Sequence, residues 1–125
     1  MDKKQLKKDF SFLKDKVMAV LVFGSALKNP TPRSDIDICI VSKDKDDSRI
    51  IREVFQHVDV AKKKYDVHTF NELPLYIKIG VINNNEEIYV GDKPALYEYF
   101  YFYRKLWNGQ KHRNEMTKEE ILEMV

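Results

Sequence analysis

The feature that most constrains the fold is the apolar run VMAVLVF at residues 17–23, which ends at Gly24. A continuous apolar run of this length, closed by a glycine, is typical of a β-strand that is buried on both faces of a sheet. The ten residues SALKNPTPRS that follow contain Pro30 and Pro32, so at most one helical turn fits after Ser25. The sequence therefore predicts an inner strand followed by a loop.

Two further segments have strand character. In IDICIVS (36–42) the isoleucines alternate with Asp37, Cys39 and Val41, which predicts a second strand with two distinct faces. KYDVHTF (64–70) also alternates and is rich in strand-forming residues, which predicts a third strand. A turn at 83–85 and a brief strand at 87–90 are expected further on.

The remaining segments favour helices. Apolar residues at helical spacing predict an amphipathic helix over 3–15, and a second helix follows an N-terminal turn of Asp46, Asp47 and Ser48. Residues 75–81 fit a short helix or an extended turn. After Pro94 an aromatic-rich helix is expected as far as Gly109, and a last short helix begins with a Thr117/Glu120 capping box. The fold class is α/β or α+β: a small mixed sheet with the site at one edge and helices on its other face.

Size and composition narrow the function. A chain of 125 residues with 43% hydrophobic content fits one domain, 1–125, with a single core. The net charge of +2 gives no overall field for nucleic acid. The lone Cys39 cannot form an internal disulfide, and the basic start lacks a signal-peptide apolar stretch. Because no apolar run approaches the ~20 residues of a membrane span, a cytoplasmic protein is expected.

The chemistry is concentrated in FGSALKNPTPRSDIDI, residues 23–38. Strand alternation places Asp35 and Asp37 on one face, where two like charges are costly unless a cation lies between them. Carboxylates without a Cys or His set suit Mg²⁺ or Mn²⁺. Gly24 and Ser25 offer backbone N–H groups and a hydroxyl to a triphosphate. A two-metal site usually needs a third carboxylate, for which Asp66 in the third strand is the candidate.

Several residues have an alternative interpretation. Asp59 competes with Asp66 as the third carboxylate, and Ser25 could simply cap its turn. His68 shares the face of Asp66, but a lone strand histidine is more often structural, so it is expected to be at most a neighbour of the metal ligands. Cys39 is expected to be a buried filler. Whether Lys28 and Arg33 contact phosphate is left open.

The Gly-Ser turn, followed after nine residues by Asp-Ile-Asp, resembles the motif of the DNA polymerase β nucleotidyltransferase superfamily. The lack of attached domains resembles its minimal nucleotidyltransferase (MNT) branch, and FNELPLYIKIGVINNNEEIYVGD extends the likeness over most of the chain. The loop is one residue shorter than in many members, and Lys28-Asn29 stands where Arg-Gly is common.

The resemblance implies an antitoxin that silences a HEPN ribonuclease toxin by transferring AMP from ATP to a toxin tyrosine. Gly24 and Ser25 would then bind the triphosphate. Asp35 and Asp37 would hold two Mg²⁺ (or Mn²⁺) ions, and Asp66 would hold the catalytic ion and help deprotonate the acceptor. The expected partners are the toxin and the nucleotide, with a homo-oligomer as a further option and no membrane.

Three other functions compete with protein adenylylation. Nucleotidyl transfer to a small molecule normally needs an additional acceptor domain, for which the chain has no room. A non-catalytic module could neutralise a partner by contact, because the tyrosines and the tryptophan of 95–107 are typical interface anchors. A ribonuclease using Arg104 and His112 fits poorly, since their spacing is long and the chain contains strands.

Overall fold

A computed structural model describes residues 2–24, 35–43 and 47–124, with side chains as far as residue 110. Its centre is a four-stranded mixed sheet in the order β3-β2-β1-β4. The strands are β1 (Ala19–Phe23), β2 (Ile36–Val41), β3 (Tyr65–Thr69) and β4 (Glu86–Val90). β1 pairs antiparallel with both β2 and β4, whereas β2 and β3 are parallel. All four predicted strands are confirmed, and β1 is an inner strand as its apolar run requires.

Five α-helices lie in the described residues: α1 (Lys3–Asp9), α2 (Ser48–His57), α3 (Val60–Lys63), α4 (Leu75–Asn83) and α5 (Lys93–Met124). The helix predicted over 3–15 is shorter, because α1 ends at Asp9 and a 3₁₀ turn follows at Ser11–Leu13. The Ser11 hydroxyl donates a hydrogen bond of 2.9 Å to the Lys8 carbonyl oxygen. Such local side-chain bonds favour a helix end over continued helix.

Helices cover both faces of the sheet, where the sequence suggested only the face opposite the site. Val20, Val22, Ile38 and Ile40 pack against α1, its following turn and α2. The opposite face is covered by α4, α5 and a 3₁₀ turn at Phe70–Glu72, in a cluster containing Leu21, Cys39, Val41, Phe70, Ile79, Leu96 and Phe100. The two-sided burial follows from β1 and β2, whose residues 19–22 and 38–41 are all buried.

Helix α5 is one continuous helix of 32 residues that passes through Gly109. The separate last helix expected from Thr117 is therefore wrong. An interior glycine costs only about 1 kcal/mol relative to alanine, which is too little to end a helix by itself. The side chains of the proposed capping box lie beyond those the structure describes, as do Asp46 and the proline loop of residues 25–34. Within the described residues, no helix is long and apolar enough to span a membrane.

Asp9 fastens α1 to the edge of the sheet. Its carboxylate accepts hydrogen bonds from Tyr65 Oη at 2.6 Å, Lys63 Nζ at 2.5 Å and Gln5 Nε2 at 2.9 Å. Burial alone would raise the pKa of Asp9, but these three donors outweigh it and lower the pKa below its ordinary value. The ionised carboxylate is therefore part of the packing between α1 and β3.

Candidate active site

Parallel pairing of β2 and β3 places two carboxylates side by side. Asp37 is the register partner of Asp66, between the partner pairs Ile36–Tyr65 and Ile38–Val67. Because strands in a sheet lie ~4.8 Å apart and partner residues point to the same face, the two side chains must be neighbours. The prediction that β3 lies beside β2 and carries Asp66 to Asp37 is confirmed.

His68 completes a compact group with these carboxylates. It follows Asp66 by two residues on β3 and so shares its face, and its Nε2 lies 3.1 Å from Asp66 Oδ2. One potential ligand atom from each of Asp37, Asp66 and His68 lies within 4.8 Å of the other two. Asp37 and His68 are half-buried, whereas Asp66 is exposed. Two carboxylate oxygens and one imidazole nitrogen at this separation can ligate a divalent cation.

The electrostatics of Asp37 point to a cation at this group. Burial raises the pKa of Asp37, and the neighbouring negative charges of Asp66 and Asp35 raise it further. The positive charge of a protonated His68 acts in the opposite direction and does not cancel them. A half-buried carboxylate beside another is an unfavourable arrangement unless a positive ion offsets the repulsion.

Gly24 sits directly against Asp37. Its φ of +81° lies in the left-handed region, which residues with a side chain rarely adopt. A Cβ at this position would overlap Asp37 Oδ2 and lie 3.3 Å from its Cγ. Phe23, the preceding residue, is the register partner of Asp37. Glycine is therefore required both for the turn that ends β1 and for the space beside the carboxylate.

The family follows from comparison with known proteins. A family model described as "Polymerase beta, Nucleotidyltransferase" matches residues 4–94, which is most of the chain. This chain belongs to the polymerase β nucleotidyltransferase family. A relative from Methanocaldococcus jannaschii, MJ1547, named as a protein adenylyltransferase by inference, is 41% identical over 102 residues. That match covers 78% of this chain and 75% of the relative.

Solved structures share the fold of this nucleotidyltransferase. A chain of a toxin–antitoxin complex with AMP-PNP superposes with a TM-score of 0.74 at 15% identity, over 98% of this chain and 99% of that one. A chain from the complex of a tri-AMPylated Shewanella oneidensis HEPN toxin with an MNT antitoxin gives a TM-score of 0.68 at 13% identity. That second match covers 96% of this chain and 95% of the other. The mixed α/β fold is therefore the polymerase-β-like MNT fold.

The structure places the other candidate residues of the nucleotidyltransferase less centrally. Asp35 is exposed and immediately precedes β2, close enough for its charge to raise the pKa of Asp37, but it is not in the three-residue group. Asp59, the competitor of Asp66, caps α3 by accepting a hydrogen bond of 3.1 Å from the Lys62 backbone N–H. Ser25, Lys28 and Arg33 lie outside the described residues.

His68 is the residue that the sequence analysis left outside the metal ligands and that the structure brings into one group with Asp37 and Asp66. The strand alternation that places Asp66 on the site face places His68 there as well. That pattern was available from the sequence. The distance of His68 from the carboxylates depended on the register of β2 and β3, which the sequence does not specify.

A groove opens beside the group, between the end of β1 and helix α4. Its volume is about 570 Å³, and its lining includes Phe23, Gly24, Tyr76, Ile77, Gly80 and Asn83. Gly80 leaves the groove wide, because a Cβ built there would meet nothing within 4 Å. Gly24 lines the groove and also lies against Asp37, so the groove and the carboxylate group adjoin at this glycine.

Proposed function

We propose that this nucleotidyltransferase transfers AMP from ATP to a protein hydroxyl, a tyrosine of a HEPN ribonuclease toxin, and thereby acts as its antitoxin in the cytoplasm. The observation that carries the proposal is the pairing of Asp37 with Asp66, next to Gly24 at the end of β1. The name of the M. jannaschii relative supports protein adenylylation. The AMPylated toxin in the S. oneidensis complex supports a HEPN partner.

The donor set fits divalent cations. Asp37 and Asp66, with Asp35 in front of β2, would hold two Mg²⁺ ions, which would neutralise the triphosphate and polarise the reacting oxygens. Gly24 and Ser25 would bind the triphosphate through backbone N–H groups and the serine hydroxyl. In this proposal the whole chain, 1–125, is a single catalytic domain.

The reaction forms one bond and breaks one. The acceptor oxygen attacks the α-phosphorus of ATP, the bond from that phosphorus to the bridging oxygen breaks, and pyrophosphate leaves. Asp66 would take the proton of the acceptor hydroxyl. The support for this role is that its side chain is exposed on the edge strand β3, whereas Asp37 on β2 is half-buried. A substrate bound in the groove beside Gly24 would lie next to Asp37, the register partner of Asp66.

Helix α5 offers the surface for a protein partner. Tyr97, Tyr101, Phe102 and Leu106 are 55%, 59%, 60% and 41% exposed. The spacing of four residues within each pair, 97/101 and 102/106, places neighbouring side chains on adjacent turns of the helix. Large aromatic residues exposed together are typical of protein interfaces and rare on monomer surfaces.

The decisive experiment incubates the protein with α-labelled ATP and Mg²⁺, with and without its HEPN partner. We expect label on the partner with the wild type and none with Asp35→Asn/Asp37→Asn. Asp15→Asn is the matched control, because it makes the same isosteric change at an exposed carboxylate outside the three-residue group. An unlabelled partner in the presence of the wild type contradicts the proposal.

The exposed aromatic side chains of α5 favour a second candidate, neutralisation of the toxin by contact alone. In that case the partner would bind and lose activity without acquiring label, and Tyr101→Ala/Phe102→Ala would release it. The doubly substituted Asp35→Asn/Asp37→Asn protein would then neutralise the toxin as well as the wild type does. Adenylylation instead predicts that the doubly substituted protein binds the toxin but leaves the toxin active.

A further inference from the structure

We propose that His68 is a direct ligand of the catalytic cation, so that the metal site is a mixed oxygen and nitrogen site that prefers Mn²⁺ to Mg²⁺. The inference rests on the metal dependence in the proposed function and adds to it a nitrogen donor and a preferred metal. It concerns a histidine that the polymerase β motif of glycine, serine and aspartates does not contain.

The position of His68 is fixed by the sheet. It is paired with Cys39 in the register that pairs Asp66 with Asp37, so both members of each pair face the same side. Its Nε2 is 3.1 Å from Asp66 Oδ2, and the three potential ligand atoms lie within 4.8 Å of one another. Ligand atoms bound to one cation at ~2.1 Å are separated by about 3–4 Å, so small side-chain movements suffice for all three to bind it.

The imidazole is held in place from the side of β1. The rings of Phe23 and His68 are 6.1 Å apart and meet edge to face at 61°. The His68 side chain is only 35% exposed, which limits the orientations open to it. Asp35, in contrast, is exposed and lies outside the three-residue group. Within the part of the chain that the structure describes, the third potential donor of the group is thus a nitrogen.

A nitrogen donor has a chemical consequence. Mg²⁺ strongly prefers oxygen ligands and retains water, whereas imidazole binds later divalent ions of the first transition row more readily. Replacing one of three oxygen donors by an imidazole therefore weakens the preference of the site for Mg²⁺ relative to Mn²⁺. His68→Gln restores an oxygen donor at similar length.

Pulsed EPR of bound Mn²⁺ tests the ligand directly. The protein is loaded with Mn²⁺ and inorganic tripolyphosphate, which contains no nitrogen, so any ¹⁴N coupling comes from the protein. We expect ¹⁴N modulation in the wild type and its loss in His68→Gln. His57→Gln is the matched control, because His57 stacks on Phe12 at 4.4 Å and bonds the Glu53 carbonyl oxygen, outside the metal group. It should keep the wild-type modulation.

A titration separates ligation from positioning. The affinities for Mn²⁺ and Mg²⁺ are measured by calorimetry in the presence of tripolyphosphate. In His68→Gln, the ratio of the Mn²⁺ affinity to the Mg²⁺ affinity should be about tenfold or more below that of the wild type. An equal loss for both metals would mean that His68 only orients Asp66, and would overturn the proposal. Absence of ¹⁴N modulation in the wild type, its persistence in His68→Gln, or failure to bind Mn²⁺ would overturn it as well.

The AMP-transfer assay keeps this proposal separate from the proposed function. Label on the HEPN partner in Mg²⁺, without ¹⁴N modulation in Mn²⁺, refutes the role of His68 and leaves adenylylation intact. ¹⁴N modulation in Mn²⁺ without label on the HEPN partner supports His68 as a metal ligand and refutes the HEPN toxin as the AMP acceptor.

Discussion

Removing the charge of Asp37 should stabilise the metal-free protein while abolishing its response to metal. Asp37 is half-buried and adjacent to Asp66, and its pKa is raised by burial and by the neighbouring carboxylates. The isosteric change Asp37→Asn removes the repulsion and lets the new amide donate to Asp66. A substitution at a position proposed to be catalytic is thus expected to make the fold more stable.

The distance between the groups sets the magnitude. Two unit charges 4.8 Å apart, the upper limit for the potential ligand atoms of Asp37 and Asp66, repel by about 1 kcal/mol in water and by ~3.5 kcal/mol at an effective dielectric constant of 20. The Asp66 side chain is 53% exposed, so the lower figure applies. For a chain of this length, about 1 kcal/mol corresponds to a Tm increase of roughly 3–5 °C.

Thermal unfolding of both proteins in EDTA and in excess Mn²⁺ provides the assay. In EDTA at pH 7, Asp37→Asn should melt above the wild type. In Mn²⁺ at one hundred times its Kd, the wild type should gain about 2.7 kcal/mol and the variant much less, which reverses the order. Glu98→Gln, which removes one exposed charge, should show neither the gain in EDTA nor the lost response to Mn²⁺.

The pH dependence of the Tm difference between Asp37→Asn and the wild type tests whether the charge of Asp37 is its cause. Because the folded-state pKa of Asp37 is raised, its destabilising effect is present above that pKa and disappears below the ordinary carboxyl value of about 3.9. The gain of Asp37→Asn in EDTA should therefore vanish below that pH. An unchanged or lower Tm of the variant at pH 7 would refute the repulsion argument.

Five other substitutions test the remaining structure. Gly24→Ala should cost about 1–2 kcal/mol and eliminate Mn²⁺ binding by calorimetry, whereas Gly80→Ala, with open space at its Cβ, should stabilise by ~0.5–1 kcal/mol. Equal changes in stability for the two glycine substitutions would contradict the close contact of Gly24 with Asp37. Thr69→Val should raise the unfolding free energy in urea by about 1 kcal/mol, since the buried hydroxyl has no hydrogen-bond partner among the described residues; a loss would reveal one. Asp9→Asn should destabilise by about 1–2 kcal/mol at pH 7, because the lowered pKa of Asp9 stabilises the fold above the ordinary carboxyl value and not below it. The difference in unfolding free energy between Asp9→Asn and the wild type should narrow towards pH 3. Lys63→Met should reproduce part of the loss of stability. A difference that does not depend on pH would exclude the charge of Asp9 as the cause.

The strands and the carboxylates proposed to bind metal could be identified from the sequence because their patterns are local. The apolar run before Gly24 and the alternation around Asp37 each need one strand to be recognised. The end of α1 and the continuity of α5 are less predictable from the sequence. A Ser11 side-chain bond ends one helix early, whereas Gly109 fails to end the other. Both outcomes depend on differences of about 1 kcal/mol.

The contribution of His68 depends on information of a different kind. Its distance from Asp37 is a property of how two strands align, and that alignment is fixed by the hydrogen-bonded pairing of β2 with β3. A period-two pattern gives the face of a residue but leaves its position along the neighbouring strand open. Asp66 can be proposed from the sequence as a third carboxylate on a neighbouring strand, whereas its pairing with Asp37 and the distance of His68 from both are recognised only in the folded chain.

The parallel register of β2 and β3 also governs which changes in chain length the protein can tolerate. The connection between Val41 and Tyr65 can gain or lose residues without moving either carboxylate, because backbone hydrogen bonds fix their relative position. An insertion of one residue within β3, before Asp66, would turn both Asp66 and His68 to the opposite face. Length variation among relatives should therefore be confined to the connection, and a single-residue insertion in β3 should inactivate the enzyme as thoroughly as removal of its carboxylates.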